Sequence, residues 1–122
     1  MRADNAASGR YTILDVVATN AIGLLYRISG TIRGFAIVDM GDGNVWALFV
    51  EPGFERLGIG RALHDIMVGW AFDHGATALW LTTDRATRAE SFYRLQGWRE
   101  AGSAGNVALR FELTKSDWTF SA

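Results

Sequence analysis

Cysteine is absent from the 122-residue chain. That excludes thiol nucleophiles, disulfides and cysteine-ligated metals, and it is compatible with a reducing compartment, so a cytoplasmic location is expected. Proline is nearly absent: Pro52 stands alone against fourteen glycines, which leaves most tight turns to glycine. Histidine is scarce. His64 and His74 lie ten positions apart without a flanking ligand pattern, so no metal site is expected. Neither sign of charge dominates, with 12 Lys and Arg against 13 Asp and Glu and a formal net charge of −1. The basic footprint of a nucleic-acid binder is therefore missing. No apolar run is long enough to span a bilayer and nothing at the start reads as a signal peptide, so no membrane partner is expected.

What is present is an ordinary globular composition, 49% hydrophobic and 20% charged, with five Trp and seven Phe as large apolar anchors. The length fits one domain, residues 1–122. Residues 1–10 are small and polar and are expected to fray. Tyr11–Ala18 is apolar and β-branched, and periodicity does not choose between strand and short helix. Ile22–Ile28 and Thr31–Asp39 read as strands joined by a Ser29-Gly30 turn, and Gly41-Asp42-Gly43-Asn44 turns the chain into a third strand, Val45–Val50. Three such strands imply an antiparallel meander.

A helix is expected from about Gly58 to His74. Ile59, Ala62, Leu63, Ile66, Met67, Trp70 and Ala71 recur at alternating steps of three and one, a single apolar stripe that leaves His64 on the solvated side. Gly75 stands where a C-terminal cap belongs and His74 suits the last turn. Thr77–Thr83 then reads as a buried strand, and strand–helix–strand implies that it runs parallel to Val45–Val50. Thr87 with Glu90 forms a capping-box pattern for a helix ending at Gly97, and Trp98–Ala101 and Val107–Thr114 read as a terminal hairpin turning through residues 102–106. The tail Trp118-Thr119-Phe120 is aromatic enough to be expected to pack.

The stretch that carries chemistry is Val50–Arg61. Val45–Val50 is nearly all apolar, as a strand covered on both faces would be. It feeds a loop containing Pro52 and Gly53, then Gly58-Ile59-Gly60 at a helix start, where free N–H groups favour a phosphate. A Walker A loop fits poorly, because Ile59 stands where lysine is needed after Gly53 and Gly58. A Rossmann fingerprint fits poorly as well, because Leu63 occupies the third glycine position.

A loop after an antiparallel strand that opens a helix with Gly-x-Gly, followed by a helix carrying Phe92-Tyr93-x-x-x-Gly97-Trp98, resembles the GCN5-related N-acetyltransferase (GNAT) family. Trp46–Val50, Pro52, Arg56–Ala62 and Ala89–Trp98 carry the likeness, which runs from about Ile22 to Thr114. The resemblance implies an α/β (α+β) fold: a mixed central sheet with the antiparallel meander, a βαβ crossover with splayed parallel strands and a C-terminal hairpin. It implies acetyl-CoA as co-substrate, transfer of acetyl to a primary amine of a small molecule or peptide, and no metal.

Residue by residue, the resemblance puts the coenzyme A pyrophosphate on the amides of Arg56, Leu57, Gly58, Ile59, Gly60 and Arg61, with the Arg56 and Arg61 side chains at the rim. Pantetheine would lie along Phe49 and Val50, with the acetyl carbonyl near Leu48 or Phe49. Tyr93 would be the general acid for the departing thiolate. Two positions depart from the family pattern. Glu55 replaces the usual Gln or Arg, placing a carboxylate near the pyrophosphate, and Ala86 stands where Asn is frequent. No general base stands out; Asp39, Glu51 and Asp84 qualify by position alone. Residues 1–20 are too few for the strand and two helices that usually precede the hairpin and build the acceptor pocket. Two readings stay open: a homodimer in which a second subunit completes the pocket, or an open site that takes a large amine or has become a non-catalytic acyl-CoA-binding module.

Overall fold

A computed structural model describes residues 10–16, 20–105 and 107–121; the main chain alone is described at positions 10, 12–16, 104, 120 and 121. The expectations for residues 1–9, for Val17 and Ala18, and for Asn106 lie outside the described residues. The chain falls into two compact units, Met1–Gly75 and Ala76–Ala122.

The first unit is an antiparallel meander and one long helix: β1 (Arg10–Val16), β2 (Ala21–Ile28), β3 (Thr31–Asp39), β4 (Asn44–Val50) and α1 (Ile59–Asp73). The periodicity that could not place Tyr11–Val16 is settled by pairing: β1 runs against β2 from Arg10↔Arg27 to Val16↔Ala21, so the meander has a fourth strand. Only residues 17–20 join β1 to β2. Ser29 and Gly30 both take positive φ, 52° and 82°, the twist-matched turn that joins two antiparallel strands most tightly.

Pairing puts Leu24, Tyr26, Gly34, Ala36 and Val38 on one face of the meander, and all five are buried. Ile59 and Leu63 of α1 reach the Gly34 position on that face. The helix is buried over a wider arc than its predicted stripe. His64, Val68 and Phe72 form a second buried row at i, i+4 and i+8. The expectation of a solvated His64 is thus corrected: its exposure is 0%, and burial is tolerated because Nδ1 lies 3.0 Å from Asp65 Oδ1. Ile66 and Trp70 are half-buried; with Ile22, Leu24, Val38 and Met67 they line a shallow apolar cleft. His74 caps α1 and stacks on Trp70 at 3.9 Å.

Gly69 sits inside α1 with nothing within 4 Å of where a Cβ would stand. Gly69→Ala is expected to stabilise the protein by about 0.5–1 kcal/mol, since alanine gives up less backbone entropy in a helix. A thermal melt that shifts downward would contradict this.

The second unit comprises β5 (Ala78–Asp84), α2 (Arg88–Leu95), β6 (Arg99–Ala104), β7 (Ala108–Thr114) and α3 (Lys115–Ser121). β7 lies between β5 and β6, antiparallel to both. Its inward residues Leu109, Phe111 and Leu113 are at most 1% exposed and form the centre of this core with Leu79, Leu81, Tyr93 and Trp98. The Thr87 cap on α2 is as the sequence suggests: Oγ1 accepts from the Glu90 amide at 3.2 Å. Glu90 reaches back one residue further than a capping box requires, accepting from the Ala86 amide at 2.7 Å and holding Ala86 at φ 59°. The Ala86 amide and, after it, the Arg94 side chain, both donating to the carboxylate, keep the Glu90 carboxyl below its ordinary range.

The aromatic tail is mostly helical. Thr114 Oγ1 accepts from the Asp117 amide at 3.1 Å, and Asp117 pairs with Arg99 at 2.7 Å. The Thr-x-x-Asp spacing was the available signal for α3. The mixed α/β class expected from the sequence holds.

Candidate active site

The chain between β4 and α1 is a sequence of short, self-satisfied turns. The Phe54 amide donates to Glu51 O at 3.0 Å, and residues Glu55–Leu57 form a single 3₁₀ turn. Glu55, the departure from the family pattern, is exposed in this turn. Its Oε1 accepts from the Gly53 amide at 2.8 Å, so part of its charge is met within the loop. Gly58 follows in the left-handed region at φ 79°, ψ 10°, a conformation that a side chain would strain.

From that corner α1 departs with no side-chain cap among the described residues. The Ala62 amide is the one that enters the ladder from Gly58 O, at 3.0 Å. The amides of Ile59, Gly60 and Arg61 precede it and have no partner among the described residues; they are the first-turn donors, backed by the positive end of a 15-residue helix. The Leu57 amide is engaged differently, donating to Phe54 O at 3.4 Å. Arg56 and Arg61 are exposed, and Arg61 Nε stands 3.9 Å from Asp65 Oδ2. Such a helix start is suited to an oxyanion, and phosphate is the usual one.

Leu48, Phe49 and Val50 pair with Ala36, Phe35 and Gly34. The expectation that β4 is covered on both faces is corrected. Trp46 and Phe49 are 49% and 46% exposed, and Phe35 and Phe49 stack on each other at 5.3 Å on the face away from Gly34. Trp46 is also the extra residue of a bulge, since Ile37 pairs with Ala47 and Val38 with Val45.

Tyr93, in the second unit, is 7% exposed. Its ring meets Phe92 and Trp98 edge-on at 5.2 and 5.3 Å. The end of α2 helps to seat it: the Trp98 amide returns to Tyr93 O at 3.1 Å. Burial pushes the phenol up to about 12, so it is a proton donor at neutral pH. Of the general-base candidates, Asp39 accepts from the Gly41 amide at 2.8 Å and Glu51 is ion-paired to Arg33; Asp84 is exposed at the end of β5. Arg33, which nothing in the sequence singles out, is the extra residue of a bulge in β3 and reaches Glu51 and Phe54 of this connection.

Comparison with known proteins bears on the fold and the family. The model of the acetyltransferase (GNAT) family matches residues 5–98. No curated protein matches the chain. Among solved structures, the chain is similar to the ribosomal-protein-S18-alanine N-acetyltransferase of Escherichia coli, with a TM-score of 0.74 at 17% identity over 87% of this chain and 93% of that one. It is also similar to the PaiA N-acetyltransferase of Thermoplasma acidophilum in complex with coenzyme A, with a TM-score of 0.71 at 18% identity over 77% and 60% of the two chains. A third is the IAA acetyltransferase of Bacillus cereus, with a TM-score of 0.71 at 13% identity over 88% and 99%. These likenesses establish a shared fold, and with the family model spanning residues 5–98 the chain belongs to the GNAT acetyltransferase family.

Proposed function

We propose that the protein is an acyl-CoA-dependent acyltransferase that moves acetyl from acetyl-CoA to a primary amine by direct attack. The observation that carries this is the uncapped start of α1 behind left-handed Gly58, a ready seat for a diphosphate in a chain of this family. The amides of Gly58–Arg61 hold the pyrophosphate, Arg56 and Arg61 flank it, and pantetheine runs along Leu48–Val50. The amine nitrogen bonds to the thioester carbonyl carbon, the carbon–sulfur bond breaks, the thiolate takes its proton from Tyr93 and the amine gives one up to water or a carboxylate. Coenzyme A in the Thermoplasma neighbour and a protein alanine in the name of the Escherichia neighbour support this cofactor and an amine acceptor, either a small molecule or a peptide. A cytoplasmic location belongs to the same proposal.

The short join between β1 and β2 favours a second reading: a module that binds acyl-CoA and transfers nothing, or one whose acceptor pocket is completed in a homodimer. Calorimetric titration with acetyl-CoA followed by thiol release against a panel of amines separates them. Binding with turnover on at least one amine is expected. Binding without turnover on any favours the module, and no binding removes both readings.

A further inference from the structure

We infer that Arg33 is the positioning residue for the phosphate loop, a strut between β3 and the segment that delivers Gly58. The inference rests on the acyltransferase reading above. Arg33 is the extra residue of a bulge: Tyr26 pairs with Gly34 and Arg27 with Ile32, leaving Arg33 unmatched. A bulge re-aims the side chain that it carries. Here the side chain meets the β4–α1 connection at both ends. Nη1 forms an ion pair with Glu51 Oε2, immediately after β4, and the guanidinium lies 4.3 Å over the ring of Phe54, immediately before the 3₁₀ turn. The backbone makes a third tie, from the Glu51 amide to Arg33 O at 2.8 Å.

Residues 51–54 are thus strapped to β3 by a charge, a ring face and a hydrogen bond. The chain has little freedom left before it reaches Gly58, so the amides of the first α1 turn stand ready before any ligand arrives. Preorganisation of this kind raises affinity by lowering what must be ordered on binding. The detail that speaks against simple packing is Arg33 Nε, buried and without a hydrogen-bond partner among the described residues. An unpaired buried donor opposes folding, and an apolar side chain would fill the same space without it. What only a guanidinium does here is join a carboxylate and a ring face together. Glu51, a general-base candidate by position, is thereby assigned to the strap.

The test compares acetyl-CoA with S-acetylpantetheine, which has the same thioester but no pyrophosphate. Arg33→Met should raise the Kd for acetyl-CoA about tenfold, keep kcat at saturation within twofold and leave the KM for acetylpantetheine unchanged. Arg33→Lys, which keeps the charge, should recover part of the affinity. The amide NMR signals of residues 55–61 should already move in the ligand-free Arg33→Met protein. If Arg33→Met does not fold, Glu51→Gln breaks the same ion pair, and a threefold rise in Kd confined to acetyl-CoA is expected. Unchanged acetyl-CoA affinity in a folded variant overturns the inference, as does an equal loss for both thioesters. A wild-type protein that takes up no acetyl-CoA sinks the acyltransferase reading and the strut together, whereas normal wild-type binding with an indifferent variant sinks the strut alone.

Discussion

Tyr93→Phe is expected to lower kcat by at least about a hundredfold while the affinity for acetyl-CoA stays within twofold, in keeping with the loss of a positioned general acid. The substitution keeps the ring, so the edge contacts with Phe92 and Trp98 and the packing against the second core survive. Only the hydroxyl goes, and the change in stability should be about 1 kcal/mol at most. Activity therefore reads the chemistry rather than the fold. The phenol's position at about 12 adds a second, independent expectation. An acid must carry its proton, and burial keeps that proton in place until the pH approaches 12. The wild-type pH–rate profile should thus rise as the amine substrate deprotonates and stay level through about pH 10, the value at which an ordinary tyrosine ionises.

The same displacement has a consequence for folding. The folded state holds the phenolic proton more tightly than the unfolded state does. Stability from this group is whole below about pH 10, where both states are protonated, and it is lost as the pH climbs from there through about 12. An undiminished kcat in Tyr93→Phe would remove Tyr93 from the reaction and leave it as a core residue.

Most of the architecture could be read from local sequence because local signals are strong here. β3 falls on the expected Thr31–Asp39, and β2, β4, α1 and β5 lie within a residue of their expected bounds. Each is an apolar run closed by a glycine or Asx turn, and turns such as Ser29-Gly30 have few alternatives. The elements that escaped are those that depend on partners. Nothing local in Tyr11–Val16 favours strand over helix; pairing with β2 does. α3 hides in a stretch whose capping signal, Thr114 with Asp117, is easily passed over beside three aromatic-rich residues.

The site divides in the same way. The open helix start with its glycines was visible in Gly58-Ile59-Gly60; the left-handed turn at Gly58 is added by the structure. That Glu55 folds back onto Gly53, that Trp46 and Arg33 occupy bulges, and that His64 is buried are all set by register and packing, to which residue type is nearly blind.

Gly34→Val tests how closely strand and helix must approach at the root of this site. The position is extended, so the backbone can accept a side chain; the obstacle is space. A Cβ there would stand 2.8 Å from the Phe49 carbonyl oxygen, 2.9 Å from Leu63 Cδ1 and 3.3 Å from Ile59 Cγ2. Ile59 and Leu63 are fully buried and cannot swing into solvent, and the Phe49 oxygen is main chain. Valine therefore has to part β3 from β4 or lift α1. Overpacking of this order costs about 1–3 kcal/mol, and the gain from replacing glycine in a strand returns less than 1 kcal/mol. A fall in Tm of roughly 5–10 °C is expected. The displaced strand is the one proposed to carry pantetheine, and the lifted helix is the one proposed to hold the pyrophosphate. Acetyl-CoA affinity should thus fall together with Tm, and Gly34→Ala should show both effects at smaller size. Paired thermal melts and titrations decide the matter. A destabilised variant with wild-type affinity would separate the Gly34 contact from the cofactor seat, and a variant that melts with the wild type would refute the close approach itself.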